Sequence, residues 1–301
     1  MAEPSLRIHL LGPVEVWRDA ALIKAASRRR LALLAAMHLA GPRGLSRSQA
    51  AAALWPERDE KGALANLRQA VRRLRQTLPE LEEAAELGAQ HLRWLGSPKV
   101  WVDLDALRAL LRRGLQREAD LALLRSLYRG RLLEGAEAPW LQAQRGSLKA
   151  KLLEALEAAY GRVSTEDPPH PPDRAAPPRP PLAPGAQAAF AVALAEAMVL
   201  VDPLGEAHHR RLFRALGSAG RFPALEEAYQ AWERHLAEGL GCAPSLETRA
   251  LYEALLQGRR VELSVQPKAV GGIVEGAAGL QLIKKPEALL VKSKWKLRFM
   301  L

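Results

Sequence analysis

A chain of 301 residues with 49% hydrophobic composition is long enough to bury the cores of two ordinary domains. Its one cysteine, Cys242, excludes an intramolecular disulfide framework and a cysteine-rich metal site. The sequence also has no run of about 18 uncharged apolar residues that would span a membrane. A net charge of +11 with a pI near 10.1 favours polyanionic partners and leaves the fold open.

From Met1 to Leu78 there are fourteen Lys plus Arg against six Asp plus Glu, so most of the excess lies in the first quarter, where a nucleic-acid module is expected. The opening MAEPSLRIHLLG lacks a basic-then-apolar export signal, so a cytoplasmic location is expected. Leu6 to Leu11 and Val14 to Trp17, parted by Gly12-Pro13, read as two short strands, and Ala21 to Lys24 as a third. Ser27 then caps a helix to about Leu39, which Gly41-Pro42 stops. Arg28, Arg29 and Arg30 fill its first turn. Cations at the positive end of a helix dipole are unfavourable by about 0.3 to 1 kcal/mol each, which an anion or solvent can relieve. Ser46-Arg47-Ser48-Gln49 has the form of a capping box and opens a short helix through Trp55, ended by Pro56.

The next segment, KGALANLRQAVRRLRQTL from Lys61 to Leu78, has two unlike faces. Leu64, Leu67, Val71, Leu74 and Leu78 recur at three- and four-residue steps and form one apolar stripe. Opposite lie Asn66, Gln69, Arg73 and Gln76 with Arg72 beside them, amide and guanidinium groups of the kind that bond base edges and phosphates. Arg68 and Arg75 border the apolar stripe and are expected to pack their stems on the fold or pair with acids. A basic helix face is also what ordinary solvation produces, so the face alone does not decide. Short helix, turn, long helix with a polar face is a helix-turn-helix order. Ala84 to Leu87 and His91 to Leu95 around Gly88-Ala89 suit a hairpin or wing, in which Glu82, Glu83 and Glu86 precede the turn and Arg93 follows it.

Beyond the wing the period is helical. Asp103 can cap a helix to about Leu111, followed by Leu121 to Tyr128, Pro139 to Tyr160, Ala186 to Val201, Leu204 to Leu216 with Asp202 as cap, Phe222 to Leu240 and Pro244 to Leu256. The last four have the spacing of tetratricopeptide pairs, whose arrays leave a concave partner-binding groove. Nine prolines within Asp167–Pro184 make that stretch an extended loop. Six of eleven lysines lie beyond Gln266, so the composition changes in the tail.

No HExxH, GxSxG, CxxC or phosphate-loop motif occurs, and no paired carboxylates stand in an apolar setting, so neither catalysis nor a cofactor is expected. Adjacent His208 and His209 point about 100° apart on a helix and do not suit a shared metal.

Met1 to about Val102 resembles the OmpR-type winged-helix DNA-binding domain of the Streptomyces antibiotic regulatory protein family, through LRIHLLGPVEVW, LSRSQAAAALWP, ALANLRQAVRRLRQTL and VWVDLDAL. Val100 to about Leu256 is similar to that family's bacterial transcriptional activation domain, through LYRGRLLEG, Trp140, VDPLGEAHHRRLFRAL and LGCAPSLETRALYEAL. The resemblance implies a mainly α fold: an N-terminal winged helix-turn-helix with a small β-sheet and wing over 1–100, an all-α tetratricopeptide-like array over 101–257 carrying the loop 167–184, and an atypical basic tail over 258–301. It implies a cytoplasmic, nucleoid-associated activator that binds direct repeats in double-stranded promoter DNA as a homodimer and contacts RNA polymerase, with no membrane partner. Asn66, Gln69, Arg72 and Arg73 then face the major groove, Arg28, Arg29, Arg30 and Arg47 hold phosphates, and Arg93 approaches the minor groove. The alternative is a regulatory scaffold whose helical array does the work, with weak or no sequence-specific DNA binding.

Overall fold

A computed structural model describes residues 4–23, 27–164 and 184–265. Met1–Arg259 forms one compact unit. Its first layer is a sheet in the order β3-β2-β1-β7. Strand β1 (Leu6–His9) pairs antiparallel with β2 (Glu15–Arg18), which pairs with β3 (Ala21–Leu22). On its other side β1 runs parallel to β7 (Val100–Val102), which arrives from 90 residues downstream. Alternation sets the faces: Leu6, Ile8, Val16, Val100 and Val102 point into the core.

Helix α1 (Arg28–Ala40) follows, with Ser27 in the N-cap position but making no side-chain cap bond; its hydroxyl accepts from Arg30 Nε at 3.3 Å instead. Beyond a turn of 3-10 helix at Gly41–Arg43 comes β4 (Leu45–Ser46). The capping box at the head of α2 (Arg47–Leu54) is complete: Gln49 N donates to Ser46 Oγ at 3.1 Å and Ser46 N to Gln49 Oε1 at 3.0 Å. Helix α3 (Glu60–Thr77) runs to Leu78, and a short α4 (Leu81–Ala84) leads into β5 (Ala85–Leu87) and β6 (His91–Trp94). A second sheet of order β4-β6-β5 forms the wing.

Seven helices follow among the described residues: α5 (Asp103–Arg113), α6 (Glu118–Leu127), α7 (Pro139–Gly161), α8 (Pro184–Val201), α9 (Glu206–Ser218), α10 (Phe222–Leu240) and α11 (Leu246–Val265). α8 packs between α7 and α9, and α10 continues the array. Tyr229 of α10 stacks on Tyr252 of α11 with ring centroids 3.9 Å apart. The fold is mainly α with small N-terminal sheets and a helical array, as the periodicities require. No helix among the described residues is long and apolar enough to cross a membrane. The proline-rich stretch up to residue 183 and the tail from residue 266 lie outside the described residues.

Three local expectations are corrected. β1 ends at His9 rather than Leu11, because the Leu10 and Leu11 amides turn inward to a buried carboxylate, that of Asp103. Asp103 therefore does not cap α5; Val102 holds the cap position and Asp103 is the first helical residue. Asp202 does not cap α9 either. Gly205 does, and the Asp202 carboxylate receives Lys149 Nζ at 2.8 Å.

The helical half also lends the N-terminal sheet a strand-like segment. Leu11 bridges to Leu132, Gly12 N donates to Arg131 O at 3.0 Å and Leu133 N to Leu10 O at 2.8 Å. Gly12 has φ +88°, and a side chain there would meet the Arg129 backbone at 3.0 Å, so the close approach requires glycine. Arg145 of α7, nearly buried, ties the segment from below by donating to the carbonyls of Leu132, Leu133 and Ala136 at 2.8 to 2.9 Å.

Candidate nucleic-acid interface

The two faces of α3 are fixed by burial. Ala63, Leu67, Ala70, Val71 and Leu74 are buried. Lys61, Arg68, Gln69, Arg72, Arg73, Arg75 and Gln76 are exposed, and Asn66 is half-buried. Compared with the predicted stripe, Ala63 and Ala70 are buried and Leu64 is only half-buried, which rotates the buried arc towards Asn66. Asn66 thereby moves to the border of the polar face, and Arg68 moves out into it. The reason is size: alanine allows α3 to approach its neighbours closely on that flank, a choice the spacing of large apolar residues did not reveal.

The other nominated residues lie on three further elements, α1, α2 and β6. Arg28 and Arg29 are exposed in the first turn of α1, with Arg30 half-buried. Arg29 Nη2 donates to Glu57 Oε1 at 2.7 Å and its guanidinium lies 5.9 Å from the Trp55 ring centroid, so it braces the α2–α3 turn. Arg93 on β6 stands directly opposite Glu86 on β5 and donates to its carboxylate at 3.0 Å, which neutralises both charges on the wing.

Arg47 opens α2 beside the wing. Its Nε donates to Gly88 O at 2.9 Å and its backbone N to Gln90 O at 3.0 Å. From α3, Arg75 Nη2 donates to Leu87 O at 2.9 Å, and Arg68 Nε donates to Leu64 O of its own helix at 3.3 Å. Arg68 and Arg75 are exposed, and of the two expected alternatives, pairing with acids is not met among the described residues. Arg47, Arg68 and Arg75 feel one another: burial, and after it the neighbouring Arg75 and Arg68 charges, lower the Arg47 pKa from its ordinary value. Sequence spacing missed this cluster because it is assembled from α2 and α3 across the wing turn.

Outside this face, the described residues contain no group of three or more His, Cys, Asp or Glu arranged to hold a metal ion. His208 and His209 have separate partners. His209 stacks on Trp232 at 3.8 Å between centroids with Nε2 3.0 Å from Pro203 O, while His208 Nδ1 lies 3.3 Å from Arg211. Burial is the main cause holding both histidines below the ordinary imidazole range.

Residues 181–256 match the bacterial transcriptional activator domain. The chain is 30% identical over 270 residues to the regulatory protein AfsR of Streptomyces coelicolor, covering 84% of this chain and 24% of that protein. It is 27% identical over 267 residues to the AfsR of Streptomyces griseus, covering 84% and 25%. It thus spans about a quarter of the length of these relatives. Among solved structures it is similar to Mycobacterium tuberculosis EmbR, determined in complex with a low-affinity phosphopeptide, with a TM-score of 0.51 and 20% identity over 85% of this chain and 66% of that one. That likeness speaks for the fold alone. The activator-domain match and the likeness to the two AfsR proteins together support membership of the Streptomyces antibiotic regulatory protein family.

Proposed function

We infer that this protein is a transcriptional regulator that binds specific sequences in double-stranded promoter DNA through α3 and activates transcription. The observation that carries the reading is the exposed polar face of α3, backed by a buried apolar stripe and flanked by a wing. Guanidinium and amide groups presented on a helix match the donor and acceptor pattern of the major groove. Gln69, Arg72 and Arg73 are assigned to base edges, with Asn66 reaching them from the border. Arg28 and Arg30 are assigned to the phosphate backbone, with Arg29 turning from Glu57 to phosphate and Arg93 from Glu86 to the minor groove only on contact with DNA, while Arg47 spends its Nε on Gly88 O and is left out. The domain reading follows: 1–100 binds DNA and 101–257 is the activation array, which supports contact with RNA polymerase. Two protomers on direct repeats, in the cytoplasm on the nucleoid, complete the proposal.

Selection of bound sites from random duplexes with the purified protein tests this reading. Enrichment of a direct repeat is expected, and recovery of the input distribution would sink it. Stimulation of purified polymerase at the enriched site separates activation from repression, since an occupied but unstimulated promoter is incompatible with an activator.

One observation favours a second reading, a scaffold whose helical array binds partners. The wing is electrostatically quiet, with Arg93 paired to Glu86 and Lys99 to Glu83. A scaffold leaves no promoter-centred occupancy along the genome, whereas a regulator does.

A further inference from the structure

The wing hairpin is short. β5 and β6 share three cross-strand pairs, Ala85↔Trp94, Glu86↔Arg93 and Leu87↔Leu92, and β4 adds two, Leu45↔Leu92 and Ser46↔His91. A sheet this small is marginal unless something else holds it. The holding groups are two arginines at its tip. Three of the carbonyls at the tip are occupied: Leu87 O by Arg75 Nη2 at 2.9 Å, Gly88 O by Arg47 Nε at 2.9 Å and Gln90 O by the Arg47 backbone N at 3.0 Å. One arginine comes from the first residue of α2 and the other from the last turn of α3. The tip is therefore tied to both helices of the helix-turn-helix.

We propose that Arg47 and Arg75 are positioning residues that clamp the wing tip to α2 and α3 and so fix the offset between the wing and the reading face of α3. The Arg47 guanidinium, turned to Gly88 O through its Nε, is drawn towards the wing turn, which separates it from Arg72 and Arg73. The consequence for DNA rests on the function proposed above: with the clamp open, the wing no longer arrives in register with α3, and discrimination between sequences falls while nonspecific attraction survives.

The full chain is compared with single Arg47→Lys, Arg75→Lys and Arg75→Gln variants. Lysine keeps the charge needed at a phosphate but lacks the planar fork. Amide hydrogen exchange, read by mass spectrometry without DNA, is expected to quicken about tenfold across residues 85–94 and to stay unchanged in α8 and α9, the latter showing that the variant is folded. On duplexes, the affinity ratio between a site selected by the parent chain and a random duplex is expected to fall about tenfold in the lysine variants, with the salt slope on the random duplex unchanged.

Lysine variants that exchange and discriminate like the parent would overturn the proposal, as would faster wing exchange with discrimination intact. A phosphate role would instead spare the lysine variants and lower the slope by about 0.9 in Arg75→Gln. If the parent chain selects no duplex, the DNA-binding reading fails, and the exchange measurement alone still decides the clamp.

Discussion

Asp103 offers the sharpest test of how the N-terminal sheet is closed. Its side chain is fully buried at the start of α5, and its carboxylate accepts from Leu10 N through both oxygens and from Leu11 N through Oδ2, each at 2.9 Å. Replacement by alanine leaves two buried amides without an acceptor. Each such orphan costs about 1 to 3 kcal/mol, and releasing a buried carboxylate returns part of that, so the net loss is about 2 to 4 kcal/mol. Burial, the leading cause, raises the carboxyl pKa above its ordinary value despite the backbone donors. The sign follows: a carboxyl whose folded pKa lies above its unfolded value adds stability that is complete below about pH 3.9 and is lost as pH rises through the folded value. Urea unfolding of the parent and Asp103→Ala from pH 7 to pH 4 should therefore show the gap between them widening as pH falls. A gap that narrows would mean that the amides favour the ionised form by more than burial opposes it, and the reasoning would be refuted.

Arg145→Gln should cost about 3 to 5 kcal/mol, because three bonds from a charged donor to the Leu132, Leu133 and Ala136 carbonyls disappear from a nearly buried site; thermal unfolding checks it, and a loss under about 1 kcal/mol would contradict it. His208 and His209 have depressed folded pKa values, so the stability they contribute is present above about pH 6.5 and is lost as pH falls towards the folded values. The unfolding midpoint should decline through that window, and His209→Phe, which keeps a ring against Trp232, should flatten the decline; a parent midpoint that is level there counts against this account. Gly44 has φ +73°, and a Cβ there would sit 2.5 Å from Arg93 Cγ and 2.8 Å from Leu92 O. Gly44→Ala should destabilise by about 1 to 3 kcal/mol, with fastest amide exchange in the wing, and equal stability would show that the backbone relaxes freely.

What the sequence made legible was local and periodic. The capping box at Ser46 and Gln49 is complete because every bond in it spans three residues. α3 and α10 lie within a residue of their predicted bounds, since apolar spacing and a stop signal fix both ends. What escaped spans the chain. Asp103 read as a cap because Asp before an apolar run usually is one, yet its partners, Leu10 and Leu11, lie more than 90 residues upstream, just past the end of β1. Asp202 misled in the same way, its partners being Lys149 on α7 and His208 on α9. At the candidate interface the polar face of α3 was legible, but its exact rotation was not, because Ala63 and Ala70 are silent in a pattern written by leucines. The Arg47 and Arg75 contacts to the wing depend on a turn whose carbonyls have no signature in side-chain order.

Charge shows why that distinction matters for function. The basic excess that first suggested a polyanionic partner is a property of composition, whereas attraction to a phosphate backbone depends on which cations remain uncommitted. Several are committed: Arg18 to Glu80, Arg29 to Glu57, Arg93 to Glu86, and Arg47 and Arg75 to wing carbonyls. Among the described residues of this half, Arg28, Arg43, Arg58, Lys61, Arg68, Arg72 and Arg73 form no ion pair, and four of these seven lie on α3. The largest share of the uncommitted charge therefore lies on α3, while the charges of the wing hairpin are paired and its tip is tied in place. If the protein binds DNA as proposed, a field centred on α3 would bring this helix to the duplex first, and the wing would then land where Arg47 and Arg75 hold it. Adding cations to the wing would raise affinity for any duplex, but it would also attract the protein in orientations that present no reading residues. On the proposed function, a neutral wing would cost affinity and favour the one approach in which Gln69, Arg72 and Arg73 face the bases.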